Sequence, residues 1–121
     1  MIIHNKKYDF LFTVGAEEDI RKLCDSGNIE QISELLRNPL TAIDTYASVA
    51  MILNKWAVKY QEREGAVTSA SLFVDDVLLM RPQELKELMA EIMKAMQDGY
   101  KTSIEIEPQK NGESRANPAV Q

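Results

Sequence analysis

LTAIDTYASVAMILNKWAVKYQERE, residues 40–64, is the longest stretch of the chain with no glycine or proline. Within it Ile43, Ala47, Ala50, Leu53 or Asn54, Ala57 and Tyr60 recur at steps of three and four. That is the spacing of one helical face. A second stripe, Val49, Ile52 and Trp56, lies beside the first. The combined apolar face is wider than one neighbour covers, so the spacing predicts a central helix packed on more than one side. Its alanines allow close approach by neighbouring helices. Asp44, Asn54 and Lys55 interrupt the apolar run, so it does not read as a membrane span.

The remaining chain must pack on this helix. At 121 residues it is expected to form one domain with a modest core. A composition of 45% hydrophobic and 27% charged residues is that of a globular protein. The net charge of −5 argues against a nucleic-acid partner, which requires a basic face to displace counterions. The single cysteine, Cys24, excludes an internal disulfide and a metal site built from cysteines. The opening Met1–Lys6 lacks the apolar core of a signal peptide, and a soluble cytoplasmic protein without membrane contact is expected.

N-terminal to the central stretch, Ile2-Ile3-His4 and Lys7–Thr13 read as two strands joined by a turn at Asn5-Lys6, a small β-hairpin. Tyr8, Phe10 and Phe12 share one face by the two-residue period. A lone hairpin is marginal in water, so that aromatic face should lie on helices. Thr13 or Gly15 is positioned to cap a first helix, with Glu17, Glu18 and Asp19 at its positive end and Ile20, Leu23 and Cys24 along its buried edge. Asn28 should cap a short helix from Ile29 to Arg37, stopped by Asn38-Pro39.

C-terminal to it, Leu72–Met80 suits a helix, with an extended start at Leu72-Phe73-Val74 as the alternative. Pro82 fits the first position of a further helix, and Gly99 fits its stop after Asp98. Thr102–Glu107 alternates and could add a short C-terminal strand. The fold class expected is therefore mainly α (α+β), a helical domain with an N-terminal hairpin. Residues 1–108 should form one domain and residues 109–121, rich in polar residues, a disordered tail.

No catalytic constellation emerges. Cys24 reads as a small buried side chain rather than a nucleophile, and His4 as a surface residue on a strand. Asp75 and Asp76 are adjacent, so their carboxylates point apart in helix or strand and make a poor metal site. Phosphate-loop, dinucleotide and zinc-protease motifs are missing from the sequence. No catalytic, cofactor or metal role is expected. Met80, Met89, Met93 and Met96 read either as core filler or as an adaptable binding face. Trp56 and Tyr60, one turn apart, read either as core or as anchors for a partner. The partner-binding candidates are Trp56, Tyr60, Met89, Met93 and Met96.

Ile2-Ile3, then Lys6-Lys7-Tyr8-Asp9-Phe10-Leu11-Phe12-Thr13-Val14-Gly15-Ala16, then an acidic helix bearing Ile20 and Leu23, resembles the opening of phage tail assembly chaperones. The resemblance is strongest over residues 1–24. Beyond them it rests on length, acidity, a helical middle and a polar end. It implies a non-enzymatic protein that binds the tape measure protein during tail-tube assembly. The major tail protein would be a second partner, and self-association is allowed. The resemblance further implies action in the host cytoplasm and absence from the finished virion. The alternative from another class is a small bacterial or phage adaptor or regulator acting by protein–protein contact.

Overall fold

The computed structural model describes residues 1–24 and 27–105, with side chains through Gly99. The chain is mainly helical with a small antiparallel N-terminal hairpin. The order is β1 (Ile2–Ile3), β2 (Lys6–Lys7), α1 (Val14–Arg21), α2 (Gln31–Arg37), α3 (Ala42–Glu64), α4 (Val74–Leu78) and α5 (Pro82–Glu105). α3 is the hub: α1, α2, α4 and α5 all pack on it. Val49, Ala50 and Leu53 lie in its fully covered middle, with Ala47, Asn54 and Ala57 buried around them.

The hairpin pairs Ile2 with Lys7 and Ile3 with Lys6. Its turn is His4-Asn5, with φ of 51° and 68°, one residue earlier than Asn5-Lys6. A two-residue loop with both central φ positive matches the right-handed twist of the flanking strands, and His and Asn tolerate that region better than most residues. The second strand ends at Lys7 rather than Thr13. Residues 8–13 stay extended, but their backbone turns to the helices: the Leu11 N–H donates to the Leu53 carbonyl at 3.1 Å. The two-residue period still sorts the aromatics, with Tyr8 and Phe12 buried and Phe10 half-buried against the core.

Thr13 caps α1, its Oγ1 accepting from the Ala16 N–H at 3.1 Å. Ala16, Ile20 and Cys24 form the buried edge, whereas Leu23 is exposed, contrary to the expectation that it too is buried. α2 starts at Gln31, later than the expected Ile29, because the Asn28 side chain takes the Glu30 N–H into a turn first. Asn38 ends α2, and the Thr41 hydroxyl returns to the Leu35 carbonyl at 2.7 Å. α3 therefore begins at Ala42, leaving Leu40 exposed. It ends at Gly65, whose φ of 90° is the left-handed C-terminal stop that glycine favours.

The ambiguous segment after Gly65 divides. Leu72 and Phe73 are extended, and the helix is only Val74–Leu78, closed onto the core by Val77. Asp76 caps it by accepting the Phe73 N–H at 2.8 Å. α5 starts at Pro82 as expected but runs through Gly99 to Glu105. The expected stop at Gly99 and the expected strand over Thr102–Glu107 are thus both corrected as far as Glu105, and Ile106 and Glu107 lie outside the described residues. A six-residue alternation is too weak a signal to end a helix whose apolar stripe is already anchored by Leu88 and Ile92. Gly99 serves close approach instead: a Cβ there would lie 2.8 Å from Phe12 Cδ2 and 3.0 Å from its carbonyl oxygen. The polar segment 109–121 also lies outside the described residues. Among the described residues no helix is long and apolar enough to cross a membrane.

Candidate docking groove

Two extended segments lie on α3, held by polar side chains. Asn54, buried, donates from Nδ2 to the Asp9 carbonyl (3.1 Å), the Ala70 carbonyl (3.0 Å) and Ser69 Oγ (3.2 Å). Its Oδ1 accepts the Leu72 N–H at 2.8 Å. Two turns on, Gln61 donates to Asp9 Oδ2 at 2.7 Å and accepts from the Thr68 and Ser69 amides at 2.9 and 3.0 Å. The segments also bond each other, Ala70 N–H to the Lys7 carbonyl at 2.7 Å. This scaffold fixes where residues 71–73 stand.

They stand as one wall of an open groove of about 580 Å³. The floor is the face of α3 from Ser48 to Glu62, with Met51, Ile52 and Val58 as its apolar part. Leu72 and Phe73 form one wall, and Leu23 at the end of α1 the other. Phe73 is 64% exposed and Leu23 37% exposed, so both present apolar surface to solvent. Lys55 and Lys59 border the groove, and Glu62 is its acidic residue.

A polar clamp holds α1 beside this floor. Asp19 Oδ2 accepts from Lys55 Nζ at 2.6 Å and from Trp56 Nε1 at 2.9 Å. The Lys55 hydrogen bond first, and the Trp56 one second, hold the Asp19 carboxyl below the usual carboxylate range. The Lys55 and Lys59 ammoniums lie 5.3 and 5.6 Å from the Trp56 ring centroid. Gly15 completes the clamp, since a Cβ on it would clash with the Cζ2, Cη2 and Cε2 atoms of the Trp56 ring.

Gly15→Ala sets two effects against each other. Alanine favours the helix by about 1 kcal/mol over glycine. Forcing a flat ring aside in a packed site costs about 1–3 kcal/mol. The contact is with rigid ring atoms, so a net loss of up to about 2 kcal/mol is expected, with a shifted Trp56 fluorescence maximum. A variant more stable than the parent with unchanged emission would refute the close packing.

The five residues singled out from sequence lie on two helices, Trp56 and Tyr60 on α3 and Met89, Met93 and Met96 on α5. Trp56 is half-buried and occupied by the clamp, and Tyr60 is 55% exposed on the last turns of α3. Met96 packs against the core with Met80, Met89 is half-buried, and Met93 is 43% exposed. None of the five lines the groove. Met51, Val58, Phe73 and Leu23 do, and sequence reasoning passed over them as carriers of a site. Of the apolar floor only Ile52 belongs to the wide face read from the spacing; Met51 and Val58 lie beside that face, and Leu23 and Phe73 come from other segments, so no single helical period marks the four.

The other chemistry-bearing residues have structural surroundings. Cys24 is buried with its thiol toward the Ile20 carbonyl, 3.8 Å away. His4 is exposed, 3.4 Å from Glu84. Among the described residues no three His, Cys, Asp or Glu side chains gather as a metal site requires. No protein-family model matches the sequence, and neither a curated protein nor a solved structure shows significant similarity to it.

Proposed function

We propose that this protein is a non-enzymatic chaperone of phage tail assembly that binds the tape measure protein, a long and largely helical client, before the tail tube is built. The observation that carries this reading is the open apolar groove along α3, a surface that holds a partner without reading a strict sequence. The resemblance of residues 1–24 to the opening of tail assembly chaperones supplies the identity of the client. On this reading the protein works in the host cytoplasm and leaves before the virion is complete.

Co-expression tests it. The tape measure protein encoded nearby should stay soluble and co-purify with this chain, and should precipitate without it. Because the contact is mainly apolar, the complex should survive about 0.5 M salt, at which exposed charges more than a few Å apart are screened. A folded chain that neither solubilises nor retains the tape measure protein would replace this reading with that of an adaptor or regulator of another protein.

A further inference from the structure

The groove has features that select one kind of occupant. From Ser48 to Glu62 the floor follows α3 for about 21 Å, roughly four helical turns. An extended peptide would dock by adding a strand, which needs unused backbone groups along an edge. On the wall the Leu72 N–H, the Phe73 N–H and the Phe73 carbonyl are already bonded within the fold. A helix needs none, because its backbone is satisfied internally, and it presents an apolar stripe that matches Met51, Ile52, Val58 and Phe73.

Charge narrows the choice. In a chain of net charge −5, two lysines border this groove and one carboxylate, Glu62, lies at its end. Lys55 and Lys59 are one turn apart, and both ammoniums are gathered over the Trp56 ring, on one edge. Lys55 is shared with Asp19, whereas Lys59 pairs with no carboxylate among the described residues. The edge therefore carries unneutralised positive charge.

We infer that the groove on α3 receives a single amphipathic helix, about four turns long, whose apolar stripe lies on Met51, Ile52, Val58 and Phe73 and whose carboxylates meet Lys59 and Lys55. This rests on the protein-binding reading above and specifies the segment of the client that is held.

Two synthetic helical peptides of that length test it, sharing a leucine stripe and differing only in flanking Glu or Lys. Surface ion pairs gained in one and repelled in the other give about tenfold tighter binding of the Glu peptide at low salt, the ratio shrinking as salt rises. Lys59→Glu should reverse the order. Phe73→Glu should weaken both by at least about tenfold, as expected for losing a central aromatic anchor. Phe73 is 64% exposed, so the substitution spares the core; Leu23→Glu on the other wall is the second variant. Equal affinities for the two peptides, or affinities untouched by both wall variants, would overturn the inference. So would a parent dimer that Phe73→Glu converts to monomer, since a second copy would then fill the groove. If the peptides behave as stated but the tape measure protein is not retained, the tail-assembly function fails and the inference stands. If the tape measure protein is retained equally by parent and Phe73→Glu, the function stands and the inference fails.

Discussion

Ala50→Asp should abolish folding. Ala50 is fully buried in the middle of α3, the helix on which every other helix packs. A carboxylate there is taken fully out of water, and several kcal/mol of desolvation is its expected cost. The added atoms also have no room, which adds about 1–3 kcal/mol of overpacking. Small domains are stable by only about 5–15 kcal/mol, so the two effects together approach the whole. Protonating the carboxyl lessens the charge penalty but leaves a buried polar group in an apolar seam. Circular dichroism of the variant should show lost helix and no cooperative melt. A melt within a few degrees of the parent would mean that α3 is not the hub of the fold.

The legible parts of the molecule were those in which one physical requirement dominates. The step of three and four through Ala47, Ala50, Leu53 and Ala57 places α3, because only a helix puts those residues on one side. Alternation from Tyr8 to Phe12 survives although the strand pairing does not, because burial of alternate side chains needs only an extended backbone. The harder features depend on partners distant in sequence. Gly15 and Gly99 look like punctuation, but each admits an aromatic ring, Trp56 and Phe12, from another element. Asn54 looks like a break in an apolar run, and only the arrival of residues 9 and 69–72 reveals what it bonds. The groove was hidden for a related reason. Its apolar lining comes from the side of α3 beside the wide face and from Leu23 and Phe73 in other segments, so no single helical period marks it.

Asn54→Ala is expected to be a severely damaging change although it only removes atoms and adds no charge. The Leu72 N–H loses its Oδ1 acceptor inside the core, and the Asp9 carbonyl loses its side-chain donor. The Ala70 carbonyl keeps the Ser69 hydroxyl at 2.8 Å. Each backbone group left unsatisfied costs about 1–3 kcal/mol, giving a loss of about 2–6 kcal/mol for the two. At this chain length that corresponds to a fall in Tm of about 10 °C or more. Asn54→Leu should lose a comparable amount even though it fills the volume, which separates lost hydrogen bonds from a cavity. Ser69→Ala should combine with Asn54→Ala less than additively, because Ser69 Oγ belongs to the same network. Hydrogen exchange locates the effect: the Leu72 amide should lose protection more than amides in the middle of α3. Since Leu72 and Phe73 form a wall of the groove, the variant should also bind the Glu-flanked helical peptide proposed above more weakly at temperatures where α3 remains folded. A loss under about 1 kcal/mol, with the Leu72 amide still protected, would show that Asn54 is not the residue that fixes this wall in place.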